Sequence, residues 1–157
     1  MILSYEHAVN EILKLFLDKW NSETAAIAGY VPKVYWPGVQ VASAPDPLKF
    51  WCRVTIKTVQ EPQTGFSACI EEDGTQSKSA SRFTASGLVF VQLFCPKNHP
   101  DSMLIGRRLA QTAKLAFRAK KTPNGVWFPE VTATELDSEE LYNRFNIVAE
   151  TQYDEAA

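Results

Sequence analysis

Cys95, His99 and Asp101 supply the side chains from which a thiol nucleophile, a base and an orienting carboxylate could be built. Catalytic triads usually assemble from segments that lie far apart in the sequence, so closeness along the chain is a weak argument for catalysis. A cysteine at the end of a buried strand is more often a small core residue. The sequence therefore predicts that the chain is not an enzyme and assigns it no catalytic residue.

Motifs for metals and cofactors are incomplete. The two histidines and three cysteines show no paired metal-ligand spacing, and the acidic run Glu71-Glu72-Asp73 lacks the alternating oxygen ligands of a calcium loop. The seven glycines form neither a dinucleotide-binding fingerprint nor a phosphate-binding loop. No metal or cofactor is expected, and we expect the protein to act through its surfaces.

Composition places the chain in a broad class. Its 157 residues, of which 45% are hydrophobic, suit a single domain over residues 1–157 with a sizeable core. Sixteen basic and eighteen acidic residues give a net charge of -2, which argues against a protein that holds nucleic acid mainly by neutralising phosphates.

The odd number of cysteines favours a reducing compartment. Without a signal peptide or a membrane-spanning run, the protein is expected to be soluble and to stay in the cytoplasm where it is made.

Two helices are predicted from apolar residues at helical spacing. The first covers residues 4–21 and begins at Ser4, a good capping residue. The second runs from Asp101 or Ser102 to Lys120, and Pro100 just before it marks the end of the preceding strand. Both carry one apolar face, so both are expected to pack on a sheet.

Strands are predicted from alternating or continuous apolar residues. Residues 50–59 alternate as a half-buried strand does, and the nearly continuous apolar run over 82–94 predicts a central strand. Between them, residues 61–81 predict the mobile tip of a long β-hairpin. A short edge strand at 34–36, an interrupted strand over 126–135, a last strand over 142–153 and a frayed tail at 154–157 complete the list. The expected fold is α+β, with two main helices on a largely antiparallel, mixed sheet of four to five strands and one long hairpin.

Charged residues form a row on the second predicted helix. Together with the uncharged Gln111, the row recurs every three or four positions through Arg107, Lys114, Arg118 and Lys121, opposite the apolar stripe. A solvated helix face is the simpler explanation, but in an oligomer this row could pair with carboxylates of a neighbouring copy, Glu140 among them. The residues predicted for such a subunit interface are Arg107, Arg108, Lys114, Arg118, Glu135, Asp137 and Glu139.

Tryptophans offer a second kind of surface. Trp36, Trp51 and Trp127 lie beside or within predicted strands, where exposed ones would serve as interface anchors. The Trp51 side of its strand also carries Arg53 and Lys57, which leaves a small-molecule or nucleic-acid binding module as an alternative.

Several segments, taken in order, resemble the tail-terminator, or tail-completion, proteins of long-tailed bacteriophages and their prophages, the lambda minor tail protein U type. The likeness covers nearly the whole chain. It lies in the first helix up to Trp20, Val34-Tyr35-Trp36-Pro37, residues 50–54, residues 82–94, Gly106-Arg107-Arg108-Leu109-Ala110, Gly125-Val126-Trp127-Phe128 and residues 142–148.

The resemblance implies a structural virion protein at the head-proximal end of the tail. Six copies are expected to form a ring that caps the tail tube, stops its polymerisation and offers the surface to which the head docks. The implied partners are further copies of the chain, the tail-tube protein and a head-completion protein, with DNA passing through the ring without specific binding. Another head-tail connector or neck protein is the alternative within this class. The hairpin residues predicted to contact the tail tube are Gln63, Thr64, Phe66, Glu71, Glu72, Asp73 and Lys78.

Overall fold

The computed structural model describes residues 3–40, 43–67 and 80–156, and it confirms the predicted α+β class. Two helices pack on a mixed sheet of six strands, against the four to five that were expected, because the stem of the hairpin forms a strand of its own. The elements are α1 Tyr5–Ala28, β1 Lys33–Tyr35, β2 Trp51–Gln60, β3 Gln63–Ser67, β4 Ala80–Pro96, α2 Ser102–Phe117, β5 Val131–Leu136 and β6 Tyr142–Ala156.

Sheet order follows β1-β2-β4-β6-β5, with β3 also paired to β4. Among the described strands, β1 and β2 pair in parallel and the other pairs are antiparallel. The long apolar strand β4 is central, as predicted, and β1 is an edge strand, as predicted. The predicted hairpin is confirmed, since β2 and β3 both pair antiparallel with β4. Residues 68–79 at its tip lie outside the described residues.

Both helices lie on the same face of the sheet. Phe16 of α1 and Phe117 of α2 stack with 5.9 Å between ring centroids. Alternate β4 residues such as Val89 and Val91 are fully buried in the same core as these rings, whereas the intervening Phe90 is only half-buried. The opposite face of the sheet is therefore partly open, which is the arrangement expected of an antiparallel sheet with one packed face.

The first helix is longer than predicted. Ser4 caps it as expected, because its Oγ accepts a hydrogen bond from the His7 amide at 3.4 Å. The helix continues to Ala28 because residues 22–28 contain no helix-breaking residue, although their apolar spacing is weak. It ends at Gly29, whose φ of +84° is a left-handed conformation that glycine adopts readily. Among the described residues, neither helix combines the length and the apolar content needed to cross a membrane.

The second helix is shorter than predicted. It ends at Phe117 rather than Lys120, and Ala119 just beyond it has a φ of +55°, which no α-helix accommodates.

The predicted interrupted strand over 126–135 is only partly a strand. β5 begins at Val131, and Pro129 precedes it. Trp127 instead exchanges two backbone hydrogen bonds with Gln152, both at 3.0 Å, as an isolated bridge. The prediction of a frayed tail at 154–157 is wrong for residues 154–156, which complete β6. Asp154 accepts hydrogen bonds from Arg82 and Thr84 of β4, and its carbonyl accepts one from the Leu3 amide.

Candidate functional site

The basic row on α2 lies beside the edge strand β5. Arg107 Nε donates a hydrogen bond to Glu135 Oε1 at 2.6 Å, and Arg118 Nη2 donates to the Val131 carbonyl at 3.1 Å. The hydrogen bond between Arg107 and Glu135, together with their opposite charges, raises the pKa of Arg107 and lowers the pKa of Glu135. Glu135, expected to face a neighbouring copy, is therefore already paired within its own chain. Both side chains remain at least half exposed, so the pair stays accessible to a partner.

The remaining members of the row face outward. Arg108 is exposed and Lys114 is half-buried. Neither makes a salt bridge within the part of the chain that the structure describes. The row is thus a solvated helix face in the single chain, with cationic groups left available.

Close packing fixes where α2 sits on the sheet. A Cβ added at Gly106 would lie 2.5 Å from a ring carbon of Phe145 and 2.8 Å from Cys95 Sγ, far inside normal contact. Glycine at this position therefore lets the helix backbone approach β4 and β6 closely. The close approach of α2 to the sheet also places Arg107, the next residue, within reach of Glu135.

An acidic segment includes β5 and the residues just after it. Residues 130–141 contain Glu130, Glu135, Asp137, Glu139 and Glu140 and no basic residue. Glu139 accepts a hydrogen bond from Arg144 Nη1 at 2.8 Å, whereas Asp137 and Glu140 make no salt bridge among the described residues. Two leucines of the segment are also exposed, Leu136 by 37% and Leu141 by 53%. The segment thus combines free carboxylates with exposed apolar side chains, a composition suited to a contact surface.

Burial and local contacts occupy the cysteine and the histidine that suggested catalysis. Cys95 is fully buried in the core, and burial raises the pKa of its thiol to about 12, which disfavours the thiolate that a nucleophile needs. His99 Nδ1 accepts a hydrogen bond from the Asp101 amide at 3.1 Å, and its ring packs edge-on against Phe50. In the described ranges, no three His, Cys, Asp or Glu side chains gather as a set of metal ligands. The acidic run at 71–73 lies outside those ranges.

An aromatic cluster covers one end of the open sheet face. Trp51 stacks flat on Phe94, with 3.9 Å between centroids and 3° between planes. Tyr35 and Tyr142 pack edge-on around Trp51, and the Arg53 guanidinium lies 5.8 Å from both stacked rings. Trp51 is consequently only 7% exposed. Its ring therefore has no free face on which a base could stack, as the alternative of a nucleic-acid binding module requires.

Sequence reasoning missed this cluster because its members come from four separate strands. Trp51 is opposite Phe94 in the β2 and β4 register, and Tyr142 is opposite Pro96 at the start of β6. Single-strand alternation assigned Trp51 to the outer side correctly, but nothing local indicated which residues would cover it. Trp127, by contrast, is 46% exposed and remains a candidate interface anchor.

A groove of about 600 Å³ opens beside the cluster, at the edge of the sheet. Val54 and Thr55 of β2 form part of its lining together with Tyr35, Pro37 and Pro45. The groove marks the point where β1 ends and the edge of β2 becomes uncovered.

The hairpin stem holds three of the predicted tail-tube residues, Gln63, Thr64 and Phe66. Gln63 and Thr64 are exposed, and Thr64 Oγ1 hydrogen-bonds Thr84 Oγ1 at 2.9 Å. Phe66 pairs with Ser81 through the backbone. Glu71, Glu72, Asp73 and Lys78 lie outside the described residues.

Together, the fold and these surfaces define an α+β protein with exposed cationic groups on one face of α2 and exposed carboxylates beside the edge strand β5. No protein-family model and no curated protein sequence matches the chain. Seven chains of solved structures match its fold. One of them, whose name states no function, is 12% identical and covers 91% of this chain and 93% of its own, with a TM-score of 0.56. At this identity the similarity shows the fold alone.

Proposed function

We propose that the chain is a structural virion protein, the tail terminator of a long-tailed bacteriophage or prophage. Six copies form a ring at the head-proximal end of the tail, where the ring caps the tail tube and stops its polymerisation. The ring then offers the surface to which the head docks. Its partners are further copies of itself, the tail-tube protein and a head-completion protein.

The observation that carries the proposal is the placement of the resembling segments. Residues 34–37, 50–54, 82–94 and 142–148, which lie far apart in the sequence, contribute to β1, β2, β4 and β6. These are consecutive neighbours in the sheet. The segments that resemble the tail-terminator family are thus scattered along the sequence but adjacent in the sheet. This is expected when two proteins share the whole fold.

The hairpin supports the contact with the tail tube. β4 is 17 residues long, about 55 Å at the usual rise of a strand, and β3 extends its pairing beyond the end of β2. Gln63 and Thr64 on this stem are exposed polar residues with which a partner can form hydrogen bonds. The stem of the hairpin therefore offers exposed polar groups at the edge of the sheet for contact with the tube.

Charge supports the passage of DNA through the ring. A net charge of -2 per chain gives DNA little reason to bind the ring, whereas a strongly basic lining would hold the phosphates. A ring that must let DNA through needs such weak attraction.

The experiment is electron microscopy of particles made after the gene is deleted from its phage or prophage. Tails without heads and of abnormal, variable length are expected, and a plasmid copy of the wild-type gene is expected to restore normal length. Headless tails of normal length would contradict the terminator role and would favour the alternative neck protein. Normal infectious particles would contradict both roles.

A further inference from the structure

The outer edge of β2 is largely unpaired. β1 pairs with Trp51, Cys52 and Arg53 alone, and no strand in the described ranges covers residues 54–60 on that side. Unpaired backbone groups along a strand edge form a template to which another chain can add. The 600 Å³ groove at Val54 and Thr55 leaves room for a chain to enter at the start of this edge.

Side chains give this edge a distinct chemistry. Residues 51–60, here termed the basic edge, contain Arg53 and Lys57 and no acidic residue. Both are exposed, and Lys57 makes no salt bridge in the described part of the chain. Val59 near its end is 59% exposed, a large apolar side chain without cover. A fitting partner is therefore an extended segment that carries carboxylates and apolar side chains.

The chain itself contains such a segment at the opposite end of its sheet. β5 is the edge strand farthest from β1 and β2. Residues 130–141, here termed the acidic edge, present the free carboxylates of Asp137 and Glu140 beside the exposed Leu136 and Leu141. The acidic edge thus complements the basic edge in charge and in apolar surface.

We propose that the basic edge of one copy binds the acidic edge of the next copy, so that the sheets of neighbouring subunits join edge to edge. The two surfaces differ and lie at opposite ends of one sheet, so the contact is head-to-tail, the type that generates a ring when the rotation closes. This inference deepens the proposed function and rests on it, since it supplies the two lateral surfaces that a terminator ring needs.

The test uses charge exchange between the two edges. One variant, Thr55→Glu with Lys57→Glu, makes the basic edge acidic and leaves Arg53 and its aromatic contacts intact. The other, Asp137→Lys with Glu140→Lys, puts cations in place of the two free carboxylates that adjoin Leu136 and Leu141 on the acidic edge. Each variant alone presents like charges at every joint, so self-association measured by light scattering should weaken by about tenfold or more relative to wild type.

Mixing the two variants provides the decisive result. In the mixture every joint between unlike copies again has opposite charges, so association is expected to return in equimolar, alternating assemblies. Lys14→Glu with Lys19→Glu, a comparable charge change on α1, is the control and should associate like wild type. Circular dichroism checks that each variant is folded, and if the β2 double variant is not, Lys57→Glu alone replaces it.

The inference would be overturned by variants that associate as well as wild type, or by a mixture that stays dissociated. A wild-type chain that remains monomeric up to its solubility limit would also overturn it. The proposed function is tested separately. It fails if tails have normal length after gene deletion, whatever the charge variants do. Abnormally long tails together with unaffected variants would leave the terminator role standing and remove only this joint.

Discussion

Arg107 on α2 and Glu135 on β5 are joined by a hydrogen bond of 2.6 Å between Nε and Oε1. The two residues are 28 positions apart in the sequence, and the pair fastens the helix to the edge strand of the sheet. Both side chains are at least half exposed, so the pair adds little to the stability of the single chain. Glu135 itself belongs to the acidic edge, so the pair matters more to the proposed contact between copies than to the stability of one chain.

Charge reversal of the basic row tests whether that row takes part in the joint between copies. In Arg107→Glu with Arg118→Glu, Glu135 would lose its partner and face a second carboxylate, and the charge on the β5 side of the subunit would change by −4. If the basic row faces carboxylates of a neighbouring copy, as its sequence pattern predicts, self-association falls by about tenfold and head joining falls with it. If the acidic edge meets the basic edge instead, the added negative charge does not weaken association, so this variant separates the two kinds of joint. Light scattering and counts of complete particles measure the two effects.

Lys14→Glu with Lys19→Glu is again a suitable control, since it changes the charge by the same amount on α1. If the Arg107 and Arg118 variant assembles and joins heads as wild type does, the basic row has no part in the lateral joint. The row would then be the solvated helix face that its sequence pattern also allows.

Removal of the hairpin is expected to abolish tail capping and to leave self-association intact. Deletion of residues 63–79 takes away β3, whose contacts are with the first residues of β4. Thr84 on β4 keeps its 3.0 Å hydrogen bond to Asp154, so the end of the central sheet remains held. The measurements are tail length by electron microscopy and oligomeric state by light scattering.

Gly65→Ala keeps the hairpin and is the matched control for this deletion. Tails of normal length made by the deletion variant would show that the hairpin does not contact the tube in any way that capping requires. Loss of self-association as well would place the hairpin in the lateral joint instead.

Local periodicity was enough to predict the class of fold. The alternation in residues 50–57 put Cys52 and Val54 on the packed side, where both are buried, and the apolar run of β4 predicted its central place. These patterns work because a residue's side of a strand depends on its position in that strand alone.

Features that depend on pairing between distant segments could not be predicted in this way. The burial of Trp51 depends on Phe94 and Tyr142, which the register of β2, β4 and β6 brings beside it. The polar end of β6 has no apolar pattern, yet Asp154 is held by Arg82 and Thr84 across the sheet. Register is a property of two strands together, so one strand's sequence does not reveal it.

Gly106→Ala is expected to destabilise the fold by about 1–3 kcal/mol, although alanine is normally the better helix former. The added Cβ would lie 2.5 Å from Phe145 and 2.8 Å from Cys95 Sγ, so α2 must shift or the ring must move. Urea unfolding measures the change. The matched control is Gly65→Ala, where the nearest atom is 3.7 Å away and the change should stay within about 0.5 kcal/mol. A Gly106→Ala variant as stable as wild type would show that α2 can move away from the sheet without cost.

Cys95 is expected to resist alkylation in the folded chain. Burial raises the pKa of its thiol to about 12, so at pH 8 only on the order of one thiol in ten thousand is ionised, against roughly a quarter for a free cysteine. Above a pH of about 8.5 the Cys95 thiol ionises in the unfolded chain before it does in the folded chain, so raising the pH toward 12 should also lower the free energy of unfolding.

Iodoacetamide labelling at pH 8, read for each cysteine by peptide mass spectrometry, should give slow modification of Cys95 and of the equally buried Cys52. The same labelling in denaturant, where both should react fast, is the control. Rapid modification of Cys95 in the folded chain would show an accessible, activated thiol and would return the enzyme hypothesis to consideration.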